Sequence, residues 1–119
     1  MNKLLWSPSA KEIKNTQAWG FMQEVNKEFK TKLTNFHELY QWSCEFPESF
    51  WTLFWRYSSI IAERKPTEAL KNGDDFFDSQ WFPEAKLNFA NNLLINKSNN
   101  PAIVFWAEDN QKRSLSYLE

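Results

Sequence analysis

Three carboxylates open the stretch DDFFDSQWFPEAKLNFANNLL, which runs from Asp74 to Leu94. Asp74, Asp75 and Asp78 follow a D-D-x-x-D spacing. On one helix face, that spacing puts three oxygens where Mg²⁺ could bridge a diphosphate. Such a site needs a long helix and a second acidic cluster. Here Asn72-Gly73 precedes the motif, Phe76-Phe77 interrupts it, and no second cluster follows. The spacing therefore predicts an acidic loop whose two phenylalanines pin it to a core, and not a metal site.

The other reactive side chains are equally sparse. His37 and Cys44 are the only histidine and the only cysteine. They stand seven residues apart on one predicted helix, and a zinc site or catalytic pair would need further partners at set spacings. The reading is a histidine on a helix face and a small buried thiol. Gly20 and Gly73 are the only glycines, so no phosphate-cradling loop exists in this sequence. Trp51 and Trp55 could stack bases, but an i,i+4 pair on an apolar face reads as core. Lys27, Lys30 and Lys32 are balanced by Glu24 and Glu28, which makes a solvated face. The net charge of −1 excludes a basic nucleic-acid footprint. No catalytic, cofactor-binding or metal-binding residue is assigned.

What the chain does hold is rings. Aromatic residues make up 18 % of 119 positions, with seven Trp and eleven Phe. Rings that stay exposed should form a patch that wants a partner. A single cysteine gives no disulfide framework. No apolar run approaches a membrane span, and the N-terminus has no signal-like apolar stretch, so the expected location is cytoplasmic. Asn96-Lys97-Ser98 is read as a chance sequon.

The elements follow from caps and spacing. Residues 1–8 read as extended. Ser9 with Glu12 forms a capping box before a short helix. Thr16 caps a helix reaching about Lys30, with Trp19, Met22, Val25 and Phe29 on one face; Gly20 either weakens it slightly or lets another backbone approach. Asn35 caps a third helix, Phe36 to Glu45, with Phe36, Leu39, Tyr40 and Ser43 along its apolar side. Pro47 starts a fourth, about 47–62, whose apolar face holds Phe50, Trp51, Phe54, Trp55, Tyr57, Ser58 and Ile61. Asn72-Gly73 marks a turn. Leu87 to Leu94 reads as a short helix. Ala102 to Ala107 is the only convincing strand, and residues 108–111 connect it to a partner at 112–116. Ser116 with Glu119 is another capping box. A helix that is cut in its first turn cannot hold itself, so the chain is expected to be part of a longer one.

Two motifs carry a resemblance. LYQWSCEFPESFW (Leu39–Trp51) and, some thirty residues on, WFPEAKLNFANNLL (Trp81–Leu94) resemble the N-terminal region of acyl-CoA synthetases of the acetyl-CoA synthetase type. AIVFWAEDNQKRSLSYLE (Ala102–Glu119) looks like the first strands of their adenylation domain. Trp81, Phe82, Pro83, Ala85, Leu87, Asn88, Phe89, Ala90, Asn92, Leu93 and Leu94 fit the pattern of the acetoacetyl-CoA synthetase subfamily. Glu84 and Asn91 depart from it, where glycine and an acidic residue are common.

The resemblance implies a mainly α (α+β) fold. Residues 1–98 would be a helical cap, and residues 99–119 the first strands of an adenylation domain. It implies an ATP-dependent acetoacetate–CoA ligase using Mg²⁺ and coenzyme A, with an acyl-adenylate intermediate. The reacting groups of that family lie beyond these residues, so this piece would bind no cofactor and would be inactive alone. Its partner would be the adenylation domain, with no nucleic acid and no membrane. Alternatives left open are an acetyl- or propionyl-CoA synthetase N-terminus and a stand-alone helical interaction module. In this reading Trp81 and Phe82 anchor a packing strap and Pro83 stiffens it. Leu87, Phe89, Leu93 and Leu94 close over the strand, and Asn88 and Asn92 satisfy backbone groups.

Overall fold

The computed structural model describes residues 5–119, so the N-terminal part of the extended reading, residues 1–4, lies outside the described residues. The fold is α+β and mainly helical, with five helices and two separate two-stranded antiparallel sheets among those residues. The chain divides into two compact units. One holds residues 5–60 with Pro66–Glu84, and the other holds Ile61–Lys65 with Ala85–Glu119.

Caps define the helices of the first unit. α1 (Ala10–Lys14) begins with the Ser9 capping box: the Glu12 backbone N–H donates to Ser9 Oγ at 3.3 Å, and the Ser9 N–H donates to the Glu12 carboxylate at 2.7 Å. α2 (Gln17–Phe29) begins where Thr16 Oγ1 accepts from the Trp19 N–H. α3 (Phe36–Glu45) begins where Asn35 Oδ1 accepts from the Glu38 N–H. Glu38 reaches one residue further back than a box would, to the Thr34 N–H at 2.6 Å. α4 (Pro47–Tyr57) begins with proline in its first turn, after the single residue Phe46.

The Glu12 and Glu38 carboxyls are held below the ordinary value of 4.5. The Ser9 hydroxyl and then its N–H are the causes for Glu12, and the Thr34 N–H and then its hydroxyl for Glu38. A depressed carboxylate stabilises the folded chain above its ordinary pKa, and that contribution is lost as pH falls through the lower folded value. Acid should therefore fray the starts of α1 and α3 first. Glu12→Gln and Glu38→Gln should remove that part of the pH dependence, read by amide exchange of residues 9–13 and 34–39 between pH 3 and 6.

The core of this unit lies where α2, α3 and α4 meet. Phe21, Met22, Val25, Leu39, Trp42 and Leu53 are buried there, with Val25 fully so. Three sequence expectations need correction. On α3 the inward pair is Leu39 and Trp42, while Phe36 and Tyr40 face solvent. On α4 Leu53, absent from the expected face, is the buried residue. Gly20 admits a side chain and not a backbone, because an added Cβ would meet Tyr57 Oη at 2.7 Å. The expected solvated face of α2 does hold, with Lys27 beside Glu24 at 3.8 Å and Arg56 of α4 donating to Glu28.

Asn26 closes the α2–α3 link. Its Oδ1 accepts from the Leu33 N–H at 2.7 Å and the Thr31 hydroxyl at 2.8 Å, and its Nδ2 donates to the Leu33 carbonyl. Lys30 leaves α2 with φ of 54°, and the Asn26 bonds hold the chain after that turn.

α4 ends at Tyr57, short of the expected residue 62. Ser59 takes φ of 52°, which ends the helical path. Further on, both backbone groups of Ile61 are engaged by Asn92 and are not available to a helix. A two-residue ladder, β1 (Leu70–Lys71) with β2 (Gln80–Trp81), completes the unit. The expectation of one convincing strand missed it, because two residues carry no alternation to read.

The second unit is built on asparagines and a hairpin. Asn88 caps α5 (Phe89–Leu93), its Oδ1 accepting from the N–H groups of Ala90 and Asn91. Asn92 Oδ1 accepts from the Ile61 N–H at 2.8 Å, and its Nδ2 donates to the carbonyls of Ile61 and Asn88, each at 2.9 Å. Both asparagines thus satisfy backbone groups as expected. Asn92→Ala should loosen residues 61–65 by about 1–2 kcal/mol, since it removes hydrogen bonds worth ~0.5–1.5 kcal/mol each at a partly wetted site. The check is protection of the Glu63 amide, which donates to Lys86 O.

β3 (Pro101–Trp106) pairs antiparallel with β4 (Lys112–Ser116), with a register shift between Pro101 and Ile103. Asn110, at φ of 63°, makes the connecting turn. The Ser116 N–H and hydroxyl both donate to the Glu119 carboxylate at 3.0 Å, forming half of the expected box. No helix among the described residues is long and apolar enough to cross a membrane.

Candidate functional site

The D-D-x-x-D carboxylates lie in the loop between β1 and β2. Asp78 Oδ2 accepts from Asn72 Nδ2 at 2.6 Å, and Asp75 Oδ1 accepts from the Phe77 N–H at 2.9 Å. The Ser79 hydroxyl donates to the carbonyls of Asp75 and Asn72. These oxygens build the loop. Phe76 and Phe77 do not pin it to a core, contrary to expectation. They are 89 % and 96 % exposed and meet each other edge to face, 5.6 Å apart. His37 and Cys44 occupy α3, and Cys44 is exposed, not buried as expected.

The aromatic strap is present. Trp81 packs edge-on against Trp51 with centroids 5.8 Å apart, and Phe82 packs on Trp55 at 4.9 Å. Phe82 takes φ of 47° immediately before Pro83, in the left-handed region that a bulky residue rarely adopts. Its N–H donates to Ala69 O at 2.9 Å, and the Trp55 face holds its ring. A strained backbone held by packing of this kind fixes the direction of the strap. The remaining expectation about this stretch is overturned. Leu87, Phe89, Leu93 and Leu94 stand exposed and do not close over β3.

An apolar groove lies between α2, α3 and α4, with a cavity volume of about 680 Å³. Phe21, Phe36, Tyr40, Phe50, Phe54 and Tyr57 are among its lining residues. A smaller cavity of about 260 Å³ lies between Ile13, Trp19, Met22 and Asn35, sharing Phe36 and Leu39 with the groove. In the second unit the hairpin is apolar on alternate residues pointing both ways: Ile103, Val104, Phe105 and Trp106 are all exposed. Lys112 lies 3.6 Å over the Trp106 ring. A strand with apolar side chains on both faces is the pattern of a sheet covered on both sides. Geometrically, the chain offers surface to be covered and little that could react.

Residues 36–93 match the family described as acetyl-coenzyme A synthetase N-terminus. The family's stretch begins at the first residue of α3 and ends at the last residue of α5. It contains α4, the β1–β2 ladder and the strap. An acetoacetyl-CoA synthetase from Xenopus tropicalis is 35 % identical over 111 residues, which is 92 % of this chain and 16 % of that protein. A malonamoyl-CoA synthetase from Penicillium aethiopicum is 36 % identical over 96 residues, covering 80 % of this chain and 13 % of its own. The solved acetoacetyl-CoA synthetase from Streptomyces lividans superposes with a TM-score of 0.82 over 98 % of this chain and 18 % of that one. At 20 % identity, this likeness shows the fold. The chain therefore spans about a sixth of the length of the relatives it matches.

Several structural residues escaped the sequence reading. Asn26 looked like any polar helix residue, and only the length and polarity of the link at 30–34 hinted that something must hold it. Phe21, Trp42 and Leu53 were passed over because neighbouring rings gave competing faces.

Proposed function

We propose that the chain is the N-terminal cap of an acetoacetate–CoA ligase. Residues 1–98 would be the cap, and residues 99–119 the first strands of the adenylation domain. The observation that carries this reading is the 35 % identity along 92 % of the chain to an acetoacetyl-CoA synthetase about six times as long. The whole enzyme would let the acetoacetate carboxylate attack ATP, releasing diphosphate and forming the acyl-adenylate. The coenzyme A thiol would then displace AMP. In the cell it would work in the cytoplasm, in lipid metabolism.

ATP, Mg²⁺ and coenzyme A belong to that whole enzyme. No group of three His, Cys, Asp or Glu side chains among the described residues is placed to hold a metal ion, and Asp75 and Asp78 are engaged within their own loop. These residues do not fit Mg²⁺, and no catalytic step is assigned to them. The role proposed for them is mechanical: rings and strands that the remaining domains cover. The charge of −1 suits a protein partner better than nucleic acid.

The test is the protein encoded by the complete reading frame, assayed for acid-dependent ATP–diphosphate exchange. Acetoacetate should give a kcat/KM at least about tenfold above acetate and propionate, the low end of what one extra group in a pocket is worth. Exchange driven equally well by acetate would move the reading to a sibling ligase, and the malonamoyl-CoA synthetase match makes such a change of acid a concrete alternative. No exchange with any acid would favour a stand-alone interaction module.

A further inference from the structure

The loop between β1 and β2 is tied together by its own hydrogen bonds, and its tip is apolar where tips are usually polar. Residues 72–79 contain three aspartates and no basic residue. Four side-chain contacts tie the loop to itself: Asn72 to Asp78, the Phe77 N–H to Asp75, and the Ser79 hydroxyl to the carbonyls of Asp75 and Asn72. Two backbone turns add to these contacts, the Asp75 N–H donating to Asn72 O and the Asp78 N–H to Asp75 O. This frame holds Phe76 and Phe77 out in water, almost fully exposed, with their rings at 84° to one another.

Two adjacent solvated phenylalanines are unfavourable for an isolated surface. Nothing in the loop's own bonding needs them, since all four side-chain contacts are made by Asn, Asp, Ser and backbone atoms. A pre-ordered loop loses little entropy when its tip is buried, so the whole apolar gain of two rings goes into binding. The charges say what the receiving surface is like. Asp74, Asp75 and Asp78 flank the rings in sequence, with Lys71 as the nearest cation along the chain. An anionic lipid surface would repel such a tip. An apolar pocket with a lysine or arginine rim would attract it and fix its orientation.

We infer that Phe76 and Phe77 form a plug that seats in an apolar, cation-rimmed pocket on the remaining polypeptide of the same ligase. This inference rests on the proposed function for its occupant. The plug is a point anchor outside the helical groove: neither ring lines the groove or the cavity beside it.

The experiment uses the full-length ligase with Phe77→p-benzoylphenylalanine, a photo-crosslinker at an exposed position, mapped by mass spectrometry after irradiation. The expected product is an intramolecular crosslink from position 77 to a segment outside residues 1–119 that carries apolar residues flanked by Lys or Arg. In the same background Asp74→Lys, a residue outside the loop's bonding, should cut the yield about fivefold, the scale of one rim charge pair. A crosslink only within residues 1–119, only to another protein, or absent would overturn the plug. A yield that ignores Asp74→Lys would overturn its cationic rim. Acid-dependent ATP–diphosphate exchange on the same sample separates the two readings. An active ligase without the crosslink rejects the plug alone, whereas an inactive protein with the crosslink rejects the ligase reading and keeps the plug.

Discussion

Trp42→Ala is expected to lower the stability of the helical unit by about 3–5 kcal/mol, the usual cost of emptying a buried indole site. Trp42 is only 8 % exposed. Its ring lies 5.0 Å from Phe29 of α2, 5.9 Å from Phe46 at the α3–α4 junction, and 6.5 Å from Phe50 of α4. One side chain therefore joins three helices. Removing it leaves a void flanked by rings that cannot collapse without moving a helix. Urea denaturation followed by far-UV circular dichroism should show a lower midpoint with an unchanged slope. A loss under about 1 kcal/mol, ordinary for a surface site, would show that the ring is not part of the core.

Phe21→Ala should cost a similar amount, about 3–5 kcal/mol, for a different reason. Phe21 meets Phe50, Phe54 and Tyr57 edge to face at 5.4, 5.5 and 5.2 Å. It is the residue through which α2 grips α4. Edge-to-face pairs add ~0.5–1.5 kcal/mol beyond area. A double-mutant cycle of Phe21→Ala with Phe50→Leu should therefore show a coupling of about 0.5–1.5 kcal/mol. Strict additivity would mean that the rings are neighbours without being partners.

Both residues were invisible to sequence patterning, and the reason is the same. α2 and α3 carry rings on more than one side, so several faces satisfy a helical period. Which face is buried is decided by the way three helices cross, and no single helix contains that information. Phe36 and Tyr40 were read as inward on α3 and lie outward, because Leu39 and Trp42 take the crossing. Caps were different. Ser9, Thr16, Asn35 and Pro47 act within three residues of themselves, and each begins the helix that its side chain or ring predicts. The end of α4 differs from the expected residue 62 because Ser59 turns to φ of 52°, which the apolar spacing does not encode. Phe76 and Phe77 were misread because two rings in a row normally mean burial.

The candidate site was legible as a resemblance more than as chemistry. Trp81, Phe82 and Asn92 stand in the stretch, residues 36–93, that matches the acetyl-coenzyme A synthetase N-terminus family. Their physical roles, a ring on Trp51, a ring on Trp55 and a clamp on Ile61, emerged only with coordinates.

The rings left uncovered in the 119-residue chain should be covered in the proposed full-length ligase. Hydroxyl-radical footprinting measures this side chain by side chain, comparing the 119-residue chain with the full-length protein. Phe36, Tyr40, Phe105 and Trp106 should react readily in the short chain and be protected several-fold in the long one, as expected when burial removes them from water. Equal reactivity of these four side chains in both proteins would contradict the account.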